Sequence, residues 1–308
     1  MLDVVLLGTS GMMPLPGRWL TSCYMKYNGI GLLIDSGEGT QIAMKEAGLS
    51  THDIDIICYT HFHADHISGL PGLLLSIGNA DRTDPVKLIG PKGLERVVNS
   101  LRVVAPELPF ELQMSELTES VQHLSEQGYE IDAFRLQHKI TCYGYSVNIP
   151  RLGKFDAERA KELEIPLKFW NKLQHGETMT DGDKTYTPDM VMSAPRKGLK
   201  VTYCTDSRPV PVIAEMAAGS DIFICEGMYG DSSRDDKARE YKHMTFTEAA
   251  QLAKEAQPAE MWLTHFSPAL SRPKDFLKNA TKIFPETKIG KCGMSRVLKF
   301  ADEEELQK

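Results

Sequence analysis

The sequence predicts an α/β protein in which helices lie outside a sandwich of two sheets, a four-layer αββα order interrupted once by an inserted arm. Three observations predict it. Short apolar runs alternate with helix-like segments in both halves, a β-rich stretch lies near the middle, and residues 150–198 break the alternation. In the first half, residues 3–7 (DVVLL), 30–34 (IGLLI), 54–60 (IDIICYT) and 86–89 read as buried strands. Residues 37–48 read as a helix stopped by Gly48. Residues 66–77 form a second helix after a glycine–proline interruption, and 94–104 form an amphipathic third. Residues 129–139 and 141–147 read as neighbouring strands joined by a short turn. Alternation resumes with strands at 199–205, 221–225 and 261–264 and a helix at 245–256. The expected organisation is one domain over 1–308 with the arm at about 150–198.

Composition bounds the function. A chain of 308 residues with 42% hydrophobic and 25% charged residues is that of a soluble globular protein. No run of about 18 or more uncharged apolar residues occurs, so no membrane span is expected. The opening MLDVVLL carries Asp3 and no basic leader, which reads as a first strand and not a signal peptide. Six cysteines without a C-x-x-C pair fit a reduced, cytoplasmic protein and argue against a cysteine-held zinc. The net charge of −7 excludes nucleic-acid binding through global charge but leaves room for a local basic patch. GTSG lacks the lysine of a phosphate-binding loop, so no nucleotide cofactor is expected. No G-x-S-x-G turn supports a serine nucleophile.

The chemistry concentrates in Thr60-His61-Phe62-His63-Ala64-Asp65-His66, directly after the strand IDIICYT. Three of the chain's nine histidines fall within six residues, together with an aspartate. Imidazole and carboxylate are ligands for zinc, manganese or iron. His61 and His63 can point the same way from an extended turn, and Asp65 and His66 can face a second ion beside the first. Further ligand types arrive where other apolar runs stop: His138 after AFRLQ, Asp206 after VTYCT and His265 after MWLT. Taken singly, Asp206 also reads as the cap of the next helix.

These residues resemble the metallo-β-lactamase fold superfamily, whose HxHxDH motif THFHADH matches in full. Within it the chain is most similar to the ribonuclease Z family. The similarity runs from GTSGMMP and LLIDSGEGTQ through THFHADH, LQHKITCYGY and YCTDSRP to LTHFSP. The resemblance implies two zinc ions per subunit, with manganese or iron as alternatives. His61, His63 and His138 would hold one, Asp65, His66 and His265 the other, and Asp206 would bridge them. It implies endonucleolytic removal of the 3′ trailer from precursor tRNA by a hydroxide activated between the metals, leaving a 3′-hydroxyl. Asp65 is then the general base, and His243 assists the leaving oxygen with Glu226 as its partner. A homodimer is implied as well. The alternative on the same fold is a small-molecule phosphodiesterase or a lactone or thioester hydrolase.

Two positions differ from the family's pattern: Cys225 precedes Glu226 where the family has histidine, and Met244 follows His243 where it has serine. His243 also reads as a histidine at a helix entry capped by Thr245. Asp35 reads as a loop residue that orients the ligands. Arg18 and Trp19 read either as contacts to phosphate and base or as cover for the core. The arm mixes Arg151, Lys154, Arg159, Lys161, Lys168 and Lys172 with Phe169 and Trp170, a pattern suited to RNA, but acidic residues dilute it. A solvated amphipathic helix beside a dimer contact is its plainer reading.

Overall fold

Runs of leucine and β-branched residues become the centres of two sheets in a computed structural model that describes residues 1–301. The first part of the chain supplies β1 (Leu2–Gly8), β2 (Ser22–Tyr27), β3 (Ile30–Ile34), β4 (Ile54–Cys58), β5 (Val86–Pro91) and β6 (Leu112–Leu117). Next come β7 (Val121–Glu126), β8 (Tyr129–Arg135) and β9 (Tyr143–Arg151), then the short hairpin β10 (Met179–Asp181) and β11 (Lys184–Tyr186). The last part adds β12 (Arg196–Cys204), β13 (Ile222–Glu226), β14 (Met261–Thr264), β15 (Thr287–Ile289) and β16 (Met294–Leu298). One seven-stranded sheet has the order β16-β1-β2-β3-β4-β5-β6, and the other β15-β14-β13-β12-β9-β8-β7. Each is antiparallel in one part and parallel in the other: β3 to β6 and β12 to β15 run parallel. Parallel strands are covered on both faces, which is why Ile56–Cys58 of β4 and Ile222–Cys225 of β13 read as apolar runs.

Helices α1 (Thr40–Glu46), α2 (Ala64–Ile67), α3 (Leu70–Gly78) and α4 (Leu94–Leu101) follow strands of the first sheet. Met44, Leu73, Leu74 and Val98 pack there on Leu33, Ile57 and Leu88. The inserted segment carries α5 (Ala157–Glu162) and α6 (Leu167–Gln174). Helices α7 (Pro211–Ala217), α8 (Asp235–Tyr241), α9 (Phe246–Ala256) and α10 (Leu277–Thr281) follow. Ile213, Ala249, Ala253 and Ala280 cover Phe223 and Leu263 of the second sheet. Each fully buried leucine or phenylalanine contributes about 1.5–3 kcal/mol relative to exposure. The sheets meet on their other faces, where Tyr145 Oη donates to the Tyr59 carbonyl (2.6 Å) and Tyr129 Oη to that of Ile30 (2.8 Å). This is the αββα order.

Three expectations change. The helix expected over 66–77 is two pieces, α2 and α3, parted at Gly69. Gly69 N donates to the Ser36 carbonyl at 2.9 Å, and a Cβ there would lie 2.3 Å from the Gly37 oxygen. Only glycine permits that approach. The strand expected over 129–139 stops at Arg135, which leaves residues 136–138 free to turn toward the site. Several strands are absent from the sequence reading, β2, β6, β7 and β15 among them; so is β16, the last among the described residues, which lies antiparallel on β1 with Leu298 opposite Leu2.

The chain divides into two compact units, Ile149–Leu199 and the remainder. The smaller has its own core of Ala160, Ile165, Phe169, Leu173, Tyr186 and Val191. Trp170 packs on Phe155 and donates its indole N–H to the Ile165 carbonyl at 2.9 Å. Phe169 and Trp170 therefore build this unit instead of forming a stacking surface. Several of its cations face acids, including Lys161 on Glu158 (2.7 Å), Arg159 on Glu162 (3.4 Å) and Lys168 on Asp181 (3.5 Å).

Candidate metal centre

The parallel strands of both sheets end at one edge, where open α/β sheets place their ligands. Just past β4 come His61, His63, Asp65 and His66; His138 follows β8, Asp206 follows β12 and His265 follows β14. All seven converge in two nests. In the first, His63 Nδ1 lies 2.9 Å from His61 Nε2 and 3.2 Å from His138 Nε2, and Asp206 Oδ2 is 3.7 Å from each of those Nε2 atoms. In the second, His265 Nε2 lies 3.3 Å from both His66 Nε2 and Asp65 Oδ2, and Asp206 Oδ1 is 3.0 Å from His265 Nε2 and 3.2 Å from His66 Nε2. The two oxygens of Asp206 thus belong to different nests. Asp206 is not the helix cap: α7 starts at Pro211 and is preceded by Val210.

The outer nitrogens explain why lone pairs point inward. His61 Nδ1 donates to Thr60 Oγ1 (3.1 Å), whose hydroxyl donates to Asp35 Oδ2 (2.8 Å). His66 Nδ1 donates to Asp35 Oδ2 at 2.7 Å, and His138 Nδ1 to the Lys242 carbonyl at 3.3 Å. Each bond leaves Nε2 as the ligand atom. Asp35 therefore holds two rings at once, and it is completely buried. Asp35, Asp206 and His265 all have left-handed backbones, with φ of 60°, 49° and 55°. Gly11 admits the last ring, since a Cβ there would lie 2.7 Å from His265 Cε1.

The cluster fits a cation. Asp206 Oδ1 is buried without a hydrogen-bond partner although two imidazoles approach it. Ligands about 2.0–2.1 Å from a tetrahedral zinc stand about 3.3–3.4 Å apart, close to the spacings within each nest. Burial and the neighbouring imidazoles push His61 well below the usual histidine range, into its ligand form. Burial also works against charge on His66, but the carboxylates of Asp206, Asp65 and Asp35 outweigh it and push that ring well above the usual histidine range.

His243 stands beside the first nest. Its Nδ1 donates to Glu226 Oε2 at 3.2 Å, and Glu226 also accepts from the Ser207 (2.6 Å) and Met244 (3.1 Å) amides. Burial opposes the charged ring, but Glu226, Asp206 and Asp65 prevail and push its pKa up to about 9. Thr245 caps α9 in a box with Glu248, as the helix-entry reading of this segment expects. The Met12 amide donates to Asp65 Oδ2 at 2.7 Å. Sequence reasoning misses the Met12 amide and the Lys242 carbonyl, because backbone groups leave no residue-type signal. Thr60 is readable only as a strand end. A cavity of about 450 Å³ opens over the nests, with Lys139, Tyr229 and Tyr241 on its walls and the Lys139 ammonium 4.6 Å from the Tyr241 ring centre.

Solved structures with this fold include human tRNase Z, short form (TM-score 0.71, 24% identity, 97% of this chain and 100% of that one). A metallo-β-lactamase fold protein from Bacillus subtilis is also similar (0.69, 18%, 96% and 98%). The family model described as "Anti-Pycsar protein Apyc1" matches residues 2–283. The ribonuclease Z of Lachnospira eligens is 67% identical over 303 residues, 98% of this chain and 100% of the relative. The chain belongs to the ribonuclease Z family. Against that family's pattern, Cys225 and Met244 are changes on the core side. Both side chains are fully buried in the apolar cluster under α9, while Glu226 and His243 face the site. Arg18 donates to the Leu270 and Ser267 carbonyls (3.0 and 3.1 Å), and Trp19 covers Gly39 and donates to Glu46 at 2.9 Å. Both hold loops of the ribonuclease Z scaffold in place.

Proposed function

We propose that this chain is a metal-dependent endoribonuclease that removes the 3′ trailer from precursor tRNA. Full-length identity of 67% to a ribonuclease Z carries the reading, over a centre in which one aspartate serves two nests. His61, His63 and His138 would hold one ion, Asp65, His66 and His265 a second, and Asp206 both. Zinc suits this set, and manganese or iron is accommodated. When bound, such a pair supplies positive charge to the phosphoryl oxygens and acidifies water. The second oxygen of Asp65 takes the proton of the attacking water as the new bond to phosphorus forms. His243, held through Nδ1 by Glu226, gives its Nε2 proton to the departing O3′ as the P–O3′ bond breaks, which leaves a 3′-hydroxyl. The smaller unit contacts the body of the tRNA, and the enzyme works as a homodimer in the cytoplasm. No helix among the described residues is long and apolar enough to cross a membrane.

The deciding experiment incubates the protein, loaded with zinc or manganese, with a precursor tRNA and maps the ends at nucleotide resolution. A single cut at the discriminator supports the reading. A second reading, hydrolysis of small phosphodiesters, uses the same two nests and needs no contact with the body of a tRNA. Turnover of bis(p-nitrophenyl) phosphate without any cut in the tRNA would favour it.

A further inference from the structure

The catalytic cavity does not end at the metal cluster. Met228, Tyr229 and Tyr241 on its wall also line a neighbouring cavity of about 620 Å³. That cavity shares Ser271, Arg272 and Asp275 with a third, of about 500 Å³. The three lie in series, each sharing a wall with the next, from His63 and Asp65 past the loop at 267–275 to Lys291. The floor is fixed. Phe276 packs against Gly230, where a Cβ would lie 2.5 Å from the ring, and Asn279 donates to the Gly230 carbonyl at 2.9 Å. Arg18 ties down the loop through the two carbonyls already described.

The chain carries a net charge of −7, yet cations outnumber carboxylates along this series of cavities once the metal cluster is passed. Lys139 stands at the catalytic end. Arg234 and Lys237 line the middle, and Lys274 and Lys291 the far end. Among the described residues these last four form no ion pair. The opposing acids are engaged: Asp231 accepts the Ser233 amide (2.8 Å), and Asp275 pairs with Arg272 (3.0 Å). Tyr229 and Tyr241 stand where the first two cavities join. Unpaired cations for phosphates beside aromatic rings for bases are what single-stranded nucleic acid requires.

We infer that this series of cavities carries the single-stranded 3′ trailer of the substrate outward from the scissile phosphate. The inference rests on the ribonuclease reading above and specifies which segment of the RNA lies here. Next to the cut, only the discriminator base is unpaired on the mature side. The trailer alone offers a strand long enough to follow the cavities.

The test compares precursor tRNAs bearing a single-nucleotide trailer with those bearing about a dozen nucleotides. The wild type, loaded with zinc, is expected to show a KM at least about tenfold lower for the long trailer. Its kcat/KM should also fall more steeply with salt, by about 0.7 in the log–log slope per phosphate contacted. In Arg234→Glu/Lys237→Glu/Lys274→Glu/Lys291→Glu that advantage disappears, with Lys274→Gln/Lys291→Gln as the milder variant if the first does not fold. Equal KM and equal salt slope for the two substrates in the wild type would overturn the inference while the ribonuclease reading stands. So would an advantage kept in a folded variant. Absence of any tRNA cleavage by a protein that still hydrolyses bis(p-nitrophenyl) phosphate would remove the ribonuclease reading and this inference together.

Discussion

Asp35 touches no substrate, yet it decides how two ligand rings stand. Its Oδ2 accepts hydrogen bonds from His66 Nδ1 at 2.7 Å and from the Thr60 hydroxyl that in turn orients His61. Asp35→Asn preserves the shape and removes the charge, so metal affinity should weaken about 10–100-fold. Zinc retained after dialysis against a graded chelator measures this, and wild-type retention would contradict it. His243 makes a different kind of prediction, because the proposal has it protonate a poor leaving group. His243→Ala should lower kcat on precursor tRNA about 100-fold or more with metal content unchanged. On bis(p-nitrophenyl) phosphate, whose leaving group needs no proton, the loss should shrink below about tenfold. Equal losses on both substrates would show that the ring acts otherwise.

At the scale of the element, strand ends govern the site. Successive side chains of a strand face opposite sides, so at the end of β13 Glu226 reaches the cluster while Cys225 enters the core beneath α9. Cys225→Ala should therefore keep kcat/KM on precursor tRNA within about twofold and lower stability by about 1 kcal/mol, as read from denaturant unfolding. A large loss of activity would mean that the thiol supports the centre after all. The same geometry explains what the sequence made legible. Most of the candidate ligands were readable because they stand where an apolar run stops, a signature of the parallel strands β4, β12 and β14; His138 instead follows the antiparallel β8. Edge strands leave no such mark. β7 alternates exposed with half-buried positions and β16 is mostly exposed, so neither carries an apolar run. The break between α2 and α3 was hidden for another reason: a glycine's backbone contact is made by residues some thirty positions earlier in the chain.

For the molecule as a whole, the centre is where the two sheets are fastened together, since His61, His63, Asp65 and His66 come from the first and His138, Asp206 and His265 from the second. Stripping metal with a chelator should abolish activity and lower the melting temperature by about 10 °C, with both recovered on adding zinc or manganese. An unchanged melting curve in a verified metal-free sample would deny the centre that fastening role. The residues by themselves named these seven candidates, but their pairing across the sheets came only through the family resemblance, because it depends on contacts between residues up to 200 positions apart. The left-handed backbones at Asp35, Asp206 and His265 carry one more consequence. Each sits in a conformation that glycine would adopt with less strain, at about 1–2 kcal/mol apiece. Drift toward a sturdier fold and retention of the catalyst therefore pull in opposite directions at these three positions. A lineage released from the need to cut RNA would be expected to lose its ligands there while gaining stability.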